Sequence, residues 1–333
     1  MPPAAVPFHL APAGKPAVSF ALLADKTPGK TRDGKPFFTC RFKDRRRSAS
    51  AMIWADGPFF VACETDWRVG QFFKLQGVFG EHERYGPQVE LLKARPVTDA
   101  DTADGFRESD FHDRSRFDSP AMFAELRALA VTELRDESAR ALVVGLLEAN
   151  ADRLAELPAH PRAFYPFPGG WLEHTLSVAK SCLLLADRYI AHYPELSPPL
   201  NRDLVLAGAI LHDLGRAAEL ASGSLTEPTV DGHLFGHQLL GRDLIRDAAR
   251  TVPGLNPEWL RLLEHVVLAH LARPDWGSVR MPAIPEVLIL HHADDLDAKL
   301  ELYIRCLTRD AADGPLTEKD AVIGRPLLKG RSI

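Results

Sequence analysis

Two rhythms of apolar residues divide this chain. From about Ala17 to Val97 apolar and polar residues alternate with period two, in VSFALLAD, PFFTCRFKD, SASAMIWA, FFKLQGVFGEHER and PQVELLKARPV. Successive side chains of a strand point to opposite faces, so these segments read as five short strands separated by Gly, Pro and Asp turns. From Ser119 the spacing of apolar residues changes to three and four. SPAMFAELRALAVTELRD, ESARALVVGLLEANADRLAEL, LSVAKSCLLLADRY, LAGAILHDLGR, LLEHVVLAHLARP and LILHHADDLDAKLELY all carry it. That is the helical period, and Ser119-Pro120 supplies an N-cap followed by a proline in the first turn.

The expected fold class is therefore multidomain: an N-terminal all-β barrel followed by an all-α helical bundle. Five strands over roughly eighty residues suit a small Greek-key barrel such as the OB-fold. Residues 98–118, TDADTADGFRESDFHDRSRFD, are polar and nearly devoid of aliphatic side chains, so they read as a linker. The expected boundaries are a flexible arm over 1–16, the barrel over 17–97, the linker, the bundle over 119–315 and a tail over 316–333.

Composition adds little beyond class. Hydrophobic residues make up 46% and charged residues 26%, which is ordinary for a globular protein. The four cysteines, Cys40, Cys63, Cys182 and Cys306, form no CxxC pair and suggest neither a disulfide framework nor a thiolate metal site. A reducing, cytoplasmic location is expected. The N-terminus lacks a signal-peptide pattern, and no apolar run approaches the ~20 residues of a membrane span.

Charge changes the picture more. Residues 1–98 hold 15 Lys and Arg against 9 Asp and Glu, while the remainder holds 25 against 36. A basic module joined to an acidic one suits the binding of a polyanion. Arg41, Lys43, Arg45, Arg46 and Arg47 cluster with Phe37, Phe38, Phe42 and Trp54. Cations on phosphates and aromatics on bases are how OB-type surfaces hold single strands, here RNA or DNA. The bland alternative is that alternating aromatics form barrel core and that Arg45-Arg46-Arg47 is a solvated turn. Phe38, Cys40 and Phe42 share parity and hence one face.

The helical half carries the chemistry. His212-Asp213 ends the apolar run LAGAIL, where a buried carboxylate needs compensation. A divalent metal, a salt bridge or a helix cap each provides it. His174, His237, His270 and Asp294 also lie in or beside helical patterns. Each histidine alone is more often a satisfied core residue than a ligand. Together the set is N/O-donating without thiolate, which suits Mn, Fe, Mg, Co or Ni, or zinc in an open geometry.

The order His…His-Asp…Asp resembles the HD superfamily of metal-dependent phosphohydrolases. The blocks GGWLEHTLSVAKSCLLLADRY, NRDLVLAGAILHDLGR, DGHLFGHQLLG and LILHHADDLDAKL are similar to the YhaM-type 3′→5′ exoribonucleases, over roughly residues 15 to 305. The resemblance implies an OB-fold ahead of an HD domain. It implies a metal-dependent exonuclease that releases nucleoside 5′-monophosphates from single-stranded RNA, with Mn²⁺ the favoured ion. His174, His212, Asp213 and Asp294 then hold the first metal, and His237 and His270 complete a second. Asp213, Arg216 and Lys299 are the expected catalytic residues. Asp297 orients a ligand histidine, Glu173 partners His174, and His291 is structural. His160, Arg162 and Tyr165 lie on the approach to the site, where the resemblance implies that they meet substrate phosphate or base. An oligomer is expected on the same basis.

Two positions depart from the family pattern. Arg216 stands where lysine usual follows HD-x-G, and Leu271 follows His270 where a second histidine is common. One ion, or two with the second held weakly, is the resulting expectation. Two rival functions remain: hydrolysis of free or signalling nucleotides, and nucleic-acid binding by a catalytically degenerate chain.

Overall fold

The computed structural model describes residues 5–45, 47–82, 86–111, 114–222, 226–310, 312 and 314–330. The chain divides into two compact units, Met1–Asp113 with Arg309–Ala311, and Arg114–Thr308 with Ala312–Ile333.

The first unit is a closed barrel of β1 (Pro16–Lys30), β2 (Pro36–Lys43), β3 (Ser48–Trp54), β4 (Phe72–His82) and β5 (Gly86–Pro96), in the order β1-β2-β3-β5-β4. Neighbours are antiparallel except β3 and β5, which meet in parallel at Ser50 and Gln88. β1 runs through Pro28-Gly29, longer than its apolar pattern alone suggests. A register shift between Leu23 and Asp25 bends it, so its first half pairs with β4 and its second with β2. Strict alternation along β4 sends Phe73, Leu75 and Phe79 inward to meet Leu23, Cys40, Phe42 and Trp67. Gly77 sits at the one irregularity of β4, where a Cβ would lie 2.7 Å from the Glu90 carbonyl. A helix absent from the strand pattern, α1 (Phe60–Thr65), connects β3 to β4 and buries Cys63.

Two segments expected to be loose are packed. In the N-terminal arm Phe8 is buried against Phe79 at 5.0 Å, and the backbone N–H of His9 donates to Asp44 at 2.8 Å. In the presumed linker, buried Asp101 accepts two 2.6 Å bonds from Arg95, while Phe106 and Phe111 pack on Phe72. Isolated aromatics and one correctly spaced aspartate anchor these stretches, and an aliphatic count misses both.

The second unit is all helical: α2 (Ser119–Glu133), α3 (Glu137–Ala149), α4 (Ala151–Glu156), α5 (Gly170–His192), α6 (Arg202–Leu211), α7 (Arg216–Glu219), α8 (Val230–Ala249), α9 (Pro257–Ala269) and α10 (Pro285–Arg309). The N-cap of α2 is Asp118, whose carboxylate accepts from Ala121, one residue before the serine expected there. The long second run breaks at Asn150 into α3 and α4. α6 is buried from Asp203 to Leu211 and forms the centre of the core, with α5 and α9 packed against it. Past α10 the presumed tail is also folded, with Leu316 bridged to Leu328 and Leu327 buried. Among the described residues no helix is long and apolar enough to cross a membrane.

Candidate metal centre and the barrel face

Helices end or bend at four of the six positions, His212, Asp213, His237 and His270. α6 stops at Leu211, so His212 is its C-cap and Asp213 lies in the turn beyond. His212 keeps helical backbone angles at that end, as the position of the pair after the apolar run implies, and the chain turns at Asp213. His270 caps α9 in the same way. His237 follows Gly236, whose φ of 70° and ψ of 165° interrupt α8. Positive φ is readily adopted only by glycine, so the kink depends on that residue. His174 and Asp294 project from the interiors of α5 and α10.

Two donor groups result. His174, His212 and Asp213 form one, and Asp213, His237 and His270 the other, each with ligand atoms within 4.8 Å of one another. Asp294 joins the first, its Oδ1 lying 3.1 Å from His174 Nε2 and 4.0 Å from His212 Nε2. Asp213 is shared. Its Oδ2 is 4.0 Å from His212 Nε2, and its Oδ1 is 3.2 Å from His237 Nε2 and 3.8 Å from His270 Nε2.

The outer ring nitrogens are tied to acceptors, which fixes how the rings face. Nδ1 of His212 donates to the Ala209 carbonyl at 2.9 Å, and Nδ1 of His270 to that of Val267 at 2.8 Å. His174 Nδ1 meets Asp297 at 2.8 Å, and Asp297 also accepts from the Ser177 hydroxyl. His237 Nδ1 faces Glu219 at 3.5 Å. A proton held on Nδ1 leaves the lone pair on Nε2, the usual arrangement of a metal-ligating histidine. Nε2 of His212 and His237, and Oδ1 of Asp213, are buried without a hydrogen-bond partner. Each such orphan costs about 1–3 kcal/mol, and three in one place are explained by a shared cation. The donors fit a divalent metal.

The charges agree. Burial alone would raise the carboxyl of Asp213, yet Arg216 and the surrounding histidines hold it well below the carboxylate range. Asp294 is lowered likewise, against burial, chiefly by His174. Burial disfavours a charged His174, but Asp294 and Asp297 outweigh it and raise its pKa to about 10. His270, desolvated and beside His212, falls to about 4.

Other expected residues are placed as follows. Arg216 is buried and committed, its Nη1 donating to Glu219 at 2.6 Å and its Nε 3.6 Å from Asp213. Lys299 stands outside the cluster, 2.7 Å from Asp295 and 5.0 Å from the Trp276 ring; the i,i+4 spacing favours that surface pair. Glu173 turns away from His174 to Ser115 and Arg116, because the neighbouring helical position points about 100° aside. His291 donates to the His270 carbonyl at 2.8 Å and braces that turn. Glu219 and Trp171 were not anticipated. Glu219 bridges Arg216 and His237, a role signalled only by its i+3 spacing from Arg216. The Trp171 indole N–H donates to the Asp213 carbonyl at 2.9 Å.

On the barrel, parity separates the aromatics. Phe42 is fully buried between Trp67 and Phe73, and Phe38 packs half-buried on Phe60. Their shared face is the interior, so Phe42 is unavailable to a ligand. Arg47 is also engaged, donating to the Ala11 carbonyl at 3.1 Å with its guanidinium over Phe79. Arg46 lies outside the described residues. Arg41, Lys43 and Trp54 are exposed on the outer face, and Arg45 is exposed in the following turn. Phe37, paired across the strands with Trp54 at 5.3 Å, completes the outer stripe.

Comparison with known proteins follows the same division. Residues 171–299 match the HD domain family. The chain is 28% identical to the 3′-5′ exoribonuclease YhaM of Bacillus velezensis over 306 residues, 92% of each protein. It is equally similar, 28% over 92% of each, to that of Bacillus subtilis. With the YhaM of Halalkalibacterium halodurans it shares 30% identity over 296 residues, covering 89% of this chain and 87% of that one. The chain belongs to the YhaM exoribonuclease family. In this YhaM-family chain the match spans both the barrel and the helical unit. Among solved structures, an asparaginyl-tRNA synthetase from Entamoeba histolytica aligns at a TM-score of only 0.23 and 7% identity, covering 47% of this chain and 37% of that one.

Proposed function

We infer that this chain is a metal-dependent 3′→5′ exoribonuclease, hydrolysing terminal phosphodiesters of single-stranded RNA to release nucleoside 5′-monophosphates. The observation that carries the reading is the convergence of four Nε2 atoms and two carboxylates inside an HD domain whose relatives are exoribonucleases.

His174, His212, Asp213 and Asp294 would hold one ion, and Asp213, His237 and His270 a second. The position of Asp213 in both groups supports two ions despite Leu271. The all-N/O donor set admits Mn²⁺, the ion that the family resemblance favours, and equally Co²⁺, Mg²⁺, Fe²⁺, Ni²⁺ and Zn²⁺. A divalent cation bound there supplies positive charge that activates water as nucleophile and offsets charge on the phosphoryl oxygens. The protein keeps Asp213 and Asp294 ionised and presents its histidines through fixed lone pairs. Arg216 serves Asp213 and Glu219 first, which makes it an anchor of the site rather than a free phosphate clamp.

The strand order, with β3 parallel to β5, supports an OB-fold for the barrel. Phe37 and Trp54 as a cross-strand aromatic pair, with Arg41 and Lys43 beyond them on β2, support single-strand binding on its outer face. Nucleotide release from a single-stranded RNA homopolymer, compared with hydrolysis of free nucleotides, tests the function. Preference for the free nucleotides contradicts it.

A further inference from the structure

The segment entering α5 is tightly bound to itself and to its surroundings. The Ala159 N–H donates to the Tyr165 carbonyl at 3.1 Å, and the Trp171 N–H to that of Leu157 at 3.0 Å. Tyr165, in the left-handed region at φ 41°, donates its N–H to Glu301 at 3.0 Å. Within this segment His160 Nδ1 accepts from the backbone N–H groups of Arg162 at 3.0 Å and Ala163 at 2.9 Å. A ring nitrogen that accepts two N–H bonds carries no proton, so the proton resides on Nε2. Among the described residues no protein group accepts from that Nε2, and it is not sealed from solvent.

The ring stands beside the metal-binding residues. It packs on Phe164 at 5.3 Å, and Phe164 lies 5.2 Å from His174. The titratable groups that face it electrostatically are Arg216, Asp213, Glu219 and His237. Burial, then Arg216, lowers its pKa to about 4, so at neutral pH it is an uncharged donor. Such a donor adds no positive charge to compete with cation binding, yet strengthens its bond as an oxygen gains negative charge.

We propose that Nε2–H of His160 donates a hydrogen bond to a non-bridging oxygen of the scissile phosphate, making His160 a catalytic residue; this rests on the exonuclease reading above. In the reaction a water oxygen bonds to phosphorus while the bond from phosphorus to the 3′ oxygen of the preceding nucleotide breaks. The water loses one proton, the departing 3′ oxygen gains one, and His160 keeps its own throughout. Because it is neutral and merely donates, its role does not require proton transfer.

Two variants separate donation from loop support. In His160→Asn the side-chain oxygen can still accept from Arg162 and Ala163 but nothing reaches the Nε2 position. In His160→Gln an amide N–H reaches it. Rates on single-stranded RNA are measured with Mn²⁺-loaded protein, and Mn²⁺ affinity by calorimetry on metal-stripped protein. The expected result for His160→Asn is a kcat lower by about 100-fold with unchanged Mn²⁺ affinity. His160→Gln recovers roughly tenfold of that loss. A wild-type rate in His160→Asn overturns the proposal, as does a parallel loss of Mn²⁺ affinity, which would place the ring's effect on the metal site. If the wild-type protein itself leaves RNA intact, the exonuclease reading falls and takes this role with it.

Discussion

In the metal-free chain His174 stands between two carboxylates, with Asp294 3.1 Å from Nε2 and Asp297 2.8 Å from Nδ1. Its pKa of about 10 means that the ring is protonated at neutral pH. A cation needs the neutral ring, so uptake expels a proton. At pH 7 the gap is about three units, on the order of 4 kcal/mol or roughly 1000-fold in apparent affinity. Each unit of rising pH therefore returns about tenfold until the ring's own pKa is reached. Mn²⁺ titrated calorimetrically into metal-stripped protein, in buffers of different ionisation enthalpy, reads both quantities. About one proton should leave with the first ion, and log affinity should climb with a slope near one between about pH 7 and pH 9. His174→Ala should lose that slope. An affinity that is flat with pH, without proton release, would refute the reasoning. The same group contributes to folding with the matching sign. Its raised pKa stabilises the metal-free fold fully below about pH 6.5, and that contribution is lost as pH rises through about 10.

Four further outcomes follow from particular contacts. Gly215→Ala places a Cβ 1.9 Å from the His237 carbonyl and 2.6 Å from the Gly241 nitrogen, so it should displace His237 and weaken binding of the second ion by about tenfold or more, read by metal titration. Trp54→Ala should weaken single-stranded RNA binding by about 1–3 kcal/mol in a fluorescence titration without unfolding the protein. Phe42→Ala should instead cost about 3–5 kcal/mol of stability in urea unfolding, because that ring lies in the core. Asp101→Asn removes the buried partner of Arg95 and Lys74 and should lower barrel stability by about 1–2 kcal/mol, discounted for the half-exposed Arg95. Asp101 is held far below the usual carboxylate range, chiefly by Arg95, so its stabilisation is present above about pH 4 and lost on acidification.

The strands were legible because Phe73, Leu75 and Phe79 recur at even spacing, with Lys74 and Gln76 between the first of them. The helices were legible because apolar residues recur at three and four. Less legible was where helices stop. His212 and His270 each follow an unbroken apolar run, and nothing in those runs marks the end that turns them into caps. Parity identified Phe38, Cys40 and Phe42 as one face but did not say which, since barrel interiors and binding surfaces both favour aromatics. Glu219 escaped notice because its partners, Arg216 and His237, lie on opposite sides of a loop in sequence and meet only through the fold. The anchoring of residues 98–111 depends on Asp101 meeting Arg95 and Lys74, a match of three-dimensional charge that composition reads as polar linker.

The most direct test of the account uses metal-stripped protein and a single-stranded RNA labelled at its 5′ end. Adding Mn²⁺ should produce a ladder shortening from the 3′ end with nucleoside 5′-monophosphate as the released product, and Asp213→Ala should leave the RNA at full length. RNA that is bound yet stays intact with Mn²⁺ and with each of the substitute ions would contradict the account.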